Sequence, residues 1–155
     1  MLTRRFDAPP ETVFDAWTQP EHLMRWFAPK GFTTPFCTVD LRVGGLFHFC
    51  MRSPDGTEFW ARGVYREVVR PERLVYLDSF ADEQGNIAEP ARYGMSAAHP
   101  RETLVTVTFH AENGGTEVTL VHAVPATVPE RSGARQGWSE MFDRLGEELG
   151  ARGLN

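Results

Sequence analysis

Five side chains carry chemistry suited to moving protons in an apolar setting: Tyr65, Glu67, Tyr76, Asp78 and His122. A carboxyl group taken into an apolar hollow keeps its proton to higher pH, and beside an imidazole it can act as an acid–base pair. Asp78 and His122 suit that role, because both fall on inward positions of segments with period-two patterning. A one-residue slip in either strand would expel them. The structural alternative has Asp78 bonding backbone at a strand end and His122 packing near a helix start, and on that reading no residue is catalytic. The chain has no G-x-S-x-G turn, Ser-His-Asp signature or phosphate loop. Its histidines, His22, His48, His99, His110 and His122, form no HExxH and have no CxxC beside them. No metal ion and no cofactor is therefore expected.

The 155 residues are the usual length of one domain, and 41% hydrophobic with 24% charged residues is a globular composition. Sixteen basic against twenty-one acidic residues leave a charge of -5, which disfavours a nucleic-acid partner. No apolar run approaches the roughly 20 residues of a membrane span. Met1-Leu2-Thr3-Arg4-Arg5 leads directly into amphipathic sequence, without the apolar core of a signal peptide. The two cysteines, Cys37 and Cys50, are too few for a secreted disulfide framework, so a reducing cytoplasm is expected.

The elements follow from pattern and punctuation. Residues 2–7 read as a short strand closed by Asp7-Ala8-Pro9-Pro10, and Val13, Phe14 and Trp17 place a helix at 10–17. Thr18-Gln19-Pro20-Glu21 has the form of a capping box opening a second helix to about Trp26. That helix buries Leu23 and Trp26 or Phe27. Period two then takes over at 36–41 and 46–52, around Arg42-Val43-Gly44-Gly45. A two-residue turn there sets Cys37 opposite Cys50, whereas a bulge at Gly45 shifts the register by one. Two reduced core thiols are favoured over a disulfide. Further strands follow at 58–69, 74–80, 103–109 and 116–123, the last two joined by Asn113-Gly114-Gly115. Thr127-Val128-Pro129-Glu130 reads as a second capping box, with Pro129 in the first turn of the helix it opens. Ala134, Trp138, Met141, Phe142, Leu145 and Leu149 form the apolar stripe of a helix about 30 Å long.

One strand, two short helices, six strands joined mostly by short turns and one long helix make an α+β order. A flat antiparallel sheet of seven strands is too wide for one helix to cover, so the sheet must curl around it and leave a hollow. The connection 81–102 is long enough to close one end. The inward positions are Phe47, Phe49 and Met51; Ala61, Gly63 and Tyr65; Tyr76, Asp78 and Phe80; Val107 and Phe109; and Val118, Leu120 and His122. Trp138 and Phe142 face them from the long helix. With Trp26 and Met95 added, the candidate ligand-binding set is Trp26, Phe47, Phe49, Met51, Tyr65, Tyr76, Asp78, Phe80, Met95, Val107, Leu120, His122, Trp138 and Phe142. An aromatic lining with few polar groups suits a small hydrophobic or aromatic molecule. The alternative is that these rings simply fill the core.

Phe6-Asp7-Ala8-Pro9, Pro20-Glu21-His22-Leu23, Asp40-Leu41-Arg42-Val43-Gly44-Gly45, Pro54-Asp55-Gly56, Gly63-Val64-Tyr65-Arg66-Glu67-Val68, Pro71-Glu72-Arg73-Leu74-Val75 and Gly137-Trp138 together resemble the activator of heat shock protein 90 ATPase homologue family. The resemblance runs over nearly the whole chain. It implies one START-like (SRPBCC) domain over 1–155 with the helix-grip fold of the birch-pollen allergen. It implies a ligand-binding protein of unknown ligand ahead of two alternatives: a polyketide cyclase-like enzyme with acid–base groups in the hollow, and a chaperone-interacting protein that stimulates a heat-shock ATPase. A homodimer is compatible with its sheet edges; a membrane partner is not expected.

Overall fold

Alternation of β-branched and aromatic residues with polar ones, punctuated by Gly, Pro and Asn-Gly turns, produces an antiparallel meander. The computed structural model describes residues 1–151. The chain runs β1 (Leu2–Phe6), α1 (Pro10–Thr18), α2 (Pro20–Trp26), β2 (Thr33–Val39), β3 (Leu46–Arg52), β4 (Glu58–Val69), β5 (Arg73–Phe80), β6 (Thr103–Glu112), β7 (Gly115–His122) and α3 (Arg131–Ala151). A 3-10 turn, Pro90–Tyr93, interrupts the connection between β5 and β6. The strands form one sheet in the order β1-β7-β6-β5-β4-β3-β2, with antiparallel neighbours throughout. This is the helix-grip fold: a curled seven-stranded sheet with one long helix and two short ones. Consecutive strands β1 and β2 occupy opposite edges, so α1 and α2 must carry the chain between them, which the curl makes possible.

The core lies between the concave face and the helices. Met141, Phe142, Leu145 and Leu149 of α3 are buried, and the Phe142 ring meets Phe6 edge-on at 5.9 Å and Trp17 at 5.7 Å. Arg144 of α3 fixes the short helices from the other side. Its guanidinium donates to the carbonyls of Arg25, Ala28, Pro29 and Phe32 at 2.8–3.2 Å. These include carbonyls that the end of α2 leaves without intrahelical partners. No helix of the described residues is long and apolar enough to cross a membrane.

Three local expectations need correction. Thr18 does not cap α2; it ends α1, and its hydroxyl donates back to the Phe14 carbonyl at 2.9 Å. Gln19, in extended conformation, is both the last cap of α1 and the first of α2, so the two helices meet with no residue to spare. Thr127 and Glu130 do not form a capping box either, because α3 begins at Arg131 and the Glu130 carboxylate accepts from Ser96 instead. The simple turn at Val43-Gly44 gives way to the bulged alternative, which sets Cys37 opposite Phe49 and Phe36 opposite Cys50.

That register separates the thiols. Cys37 shares the concave face with Phe49, whereas Cys50 lies on the convex face; both are buried and free. Burial is the main cause that pushes Cys37 up to about 12 and Cys50 up to about 11. A thiol held protonated is a poor nucleophile. Neither cysteine should therefore take up iodoacetamide near pH 8 in the folded protein, and both should after unfolding in urea. Mass spectrometry reads the result directly, and rapid labelling of either native thiol would contradict the placement.

Candidate functional site

Between the concave face, α3 and the β5–β6 connection lies a half-open hollow of about 580 Å³. Period-two alternation aims its lining inward: Phe49 and Met51 from β3, Ala61 from β4, Tyr76, Asp78 and Phe80 from β5, Thr103 from β6, His122 from β7. Trp138 and Met141 close it from α3. Gly63 makes room for one of these rings. A Cβ there would stand 2.7 Å from Tyr76 Cδ2, so the tyrosine lies across the strand where a side chain is missing.

The 81–102 connection grips both faces of the sheet. On the convex side His48 Nε2 donates to the Asp82 carbonyl at 3.0 Å and Arg62 donates to the Gly85 carbonyl at 2.8 Å. On the concave side Tyr93 stacks on Phe80 with ring centroids 5.1 Å apart, and its hydroxyl donates to the Ala81 carbonyl at 2.6 Å. Met95, His99, Pro100 and Arg101 then border the hollow. Ser96 reaches across to α3's approach and donates to Glu130 Oε1 at 2.8 Å.

The polar part of the lining is a short chain of groups on three strands and α3. The Trp138 indole N–H donates to His122 Nδ1 at 3.1 Å. Indole nitrogen can only donate, so Nδ1 carries no proton and the ring's hydrogen sits on Nε2. Nε2 then donates to Thr103 Oγ1 at 2.8 Å. Burial, helped by His99, lowers the His122 pKa from 6.5 to about 4, so the imidazole is neutral near pH 7. Asp78 Oδ2 lies 3.9 Å from His122 Nε2, too far for a hydrogen bond. Burial raises the Asp78 pKa from 3.8 to about 7 although 29% of its side chain remains accessible, which fits a carboxyl deep in the molecule that opens onto a hollow. The Tyr76 hydroxyl is buried with the Trp17 indole as a polar neighbour, and burial is the main cause that holds its pKa well above the ordinary tyrosine value.

Eight of the fourteen candidate residues line this hollow: Phe49, Met51, Tyr76, Asp78, Phe80, Met95, His122 and Trp138. The other six lie elsewhere. Trp26 is fully buried, donating its indole N–H to the Ala16 carbonyl at 2.9 Å. Phe47 and Tyr65 stack on each other at 6.4 Å in the core, and Val107 and Phe142 are wholly enclosed. Leu120 borders a second hollow of about 530 Å³ under the start of α3, on the far side of the His122–Trp138 pair, which lines both. Glu67, weighed with the proton-moving groups, is at the surface and paired with Arg73 at 2.6 Å.

Sequence reasoning left out Phe27, His99, Arg101, Thr103, Glu130 and Met141, all of which border the hollow. Thr103 had a usable signal, because the count that places Val107 and Phe109 inside reaches it two steps earlier. His99 and Arg101 lie on irregular backbone with no period to read.

The family model described as Activator of Hsp90 ATPase homolog 1-like protein matches residues 7–150. The fold is similar to a Nitrosomonas europaea protein at 27% identity and TM-score 0.79, over 99% of this chain and 95% of that one. An Arthrobacter aurescens protein is similar at 26% identity and TM-score 0.79, over 96% and 84% of the two chains. The AHSA1 protein of Silicibacter pomeroyi, at 20% identity and TM-score 0.75 over 97% and 96%, shares the fold. No curated protein matches the chain.

Proposed function

The chain belongs to the Activator of Hsp90 ATPase homolog 1-like family, and from that premise we propose that it binds a small hydrophobic or aromatic molecule in the hollow beneath α3. The observation that carries this reading is the lining. About 580 Å³ is bounded by Phe49, Met51, Tyr76, Phe80 and Trp138, with a smaller number of polar side chains such as Asp78, Thr103 and His122 among them. Hollows of roughly 300–1,000 Å³ with apolar walls and a few convergent polar groups are what small-molecule sites look like. Binding is favoured over catalysis because both nitrogens of His122 are already engaged, by Trp138 and by Thr103. An imidazole so held orients its neighbours and has no free lone pair to take a proton from a substrate.

Gly137 offers a test that leaves the fold intact. It lies on α3 at the hollow, and a Cβ there would meet only Pro29 Cγ, at an ordinary 3.7 Å. A leucine at this position takes up part of the hollow while improving helix propensity by up to about 1 kcal/mol. Isothermal titration with 1-naphthylmethanol should show binding to the wild-type protein and at least about ten-fold weaker binding to Gly137→Leu. Equal affinity in both proteins would place the probe elsewhere and remove the proposal. Native mass spectrometry of protein purified gently from its host is the companion measurement, with a copurified small molecule expected.

A further inference from the structure

We propose that the molecule held in this hollow carries an amine, and that Asp78 is its anchor. The inference rests on the binding proposal and adds the chemical class of the ligand. Besides Asp78, four residues that border the hollow have a carboxylate, guanidinium or imidazole side chain, and each has a partner. Arg101 pairs with Glu89 at 3.3 Å, Glu130 accepts from Ser96, His99 Nδ1 bonds the Pro100 carbonyl at 2.9 Å, and His122 is held by Thr103 and Trp138. Asp78 has none. Among the described residues no donor lies within hydrogen-bond distance of its carboxylate, and the nearest cation-forming group is His122 at 3.9 Å with its proton already directed to Thr103.

A carboxylate set among apolar groups without a donor is unfavourable, and whatever supplies both donors and positive charge is drawn to it. A primary or secondary ammonium does both. The surrounding surface suits the rest of such a molecule, since the aromatic side chains of Tyr76, Phe80 and Trp138 line the same space. Ring faces attract the carbon-bound rim of a cation as well as an aromatic body. A carboxylate-bearing ligand would meet Asp78 as a like charge and be disfavoured.

Three probes of one skeleton separate this from the simpler reading: 1-naphthylmethylamine, 1-naphthylmethanol and 1-naphthoate, titrated calorimetrically near pH 8. The amine should bind at least about ten-fold more tightly than the alcohol, and the carboxylate more weakly than either. Asp78→Asn should bring the amine to within about two-fold of the alcohol. In wild type, acidification to near pH 5 should weaken the amine at least about ten-fold and spare the alcohol, so the test survives if the variant fails to fold. The other titratable groups toward Asp78 are Tyr76 on its own strand, His122 on β7, His99 and Arg101 on the connection, and Glu130 ahead of α3. Comparison with Asp78→Asn separates the share of Asp78 from that of these other groups. Equal binding of amine and alcohol by wild type would overturn the amine inference and keep the binding proposal. Binding of none of the three would overturn both.

Discussion

Gly45→Ala is expected to destabilise the protein by about 3 kcal/mol or more, the upper end for a single added methyl group. The added Cβ would stand 2.0 Å from the Asp40 carbonyl oxygen and 2.9 Å from that of Arg42. Both are backbone atoms, so no side-chain rotation relieves the clash. Nor can the loop easily move. Gly45 N–H donates to the Arg42 carbonyl at 2.8 Å, Asp40 N–H to Leu46 at 3.0 Å, and Tyr65 N–H to the Gly45 carbonyl at 3.1 Å. The tight crossing also sets the register of β2, because one extra residue in the turn places Phe36 rather than Cys37 opposite Cys50. Gly44→Ala is the control. Its Cβ would meet nothing within 4 Å, and its φ of +81° asks about 1–2 kcal/mol of a residue with a side chain. Urea unfolding of both variants measures the contrast. A Gly45→Ala protein no less stable than Gly44→Ala would mean that the loop relaxes and does not dictate the register.

That position also shows where sequence reasoning stops. Alternation placed the strands, Asn113-Gly114 marked the β6–β7 turn, and the 3.6-residue stripe from Trp138 to Leu149 marked α3, because each is a local pattern repeated over several residues. A bulge is a single-residue event, and Arg42-Val43-Gly44-Gly45 is compatible with either register. The two capping boxes failed for a related reason. Their residue types were right, but Thr18 was claimed by its own helix and Glu130 by Ser96, thirty-four positions away. Within the candidate site, period two identified the inward face and could go no further. Phe47 and Phe49 share that face, yet Phe47 is sealed in the core while Phe49 borders the hollow. Phe27 meets both rings, but Phe47 also packs against Tyr65 and Tyr76 of the neighbouring strands, a long-range fact with no trace in β3 itself. Asp78 and His122 were recognised as inward, but the Trp138 hydrogen bond that sets the histidine's tautomer joins a strand to a helix across a loop.

Those two residues carry the other large effect, a cancellation that single substitutions should expose. Asp78 keeps its proton up to about pH 7 in the folded chain against an ordinary 3.8. Between those values the folded state holds a proton that the unfolded state has lost, so stability falls as pH rises, by about 1.4 kcal/mol per unit. His122 protonates only near pH 4 when folded against an ordinary 6.5. Between those values the unfolded state holds the extra proton, so stability rises with pH at the same rate. Over the shared window, from about pH 4 to 6.5, the opposed slopes leave the pair with almost no net pH dependence. Asp78→Asn removes the falling slope. Its stability relative to wild type should climb from near pH 4 to near pH 7 by about 3–4 kcal/mol, the lower figure allowing for water that reaches the carboxyl through the hollow. His122→Gln removes the rising slope, and its stability relative to wild type should fall by about 3 kcal/mol between near pH 4 and near pH 6.5. Urea unfolding at four or five pH values gives these differences, and subtracting wild type cancels the other ionisable groups. A difference that stays flat across the window for either variant would show that its side chain is hydrated like a surface group, and the buried polar patch would lose its physical basis.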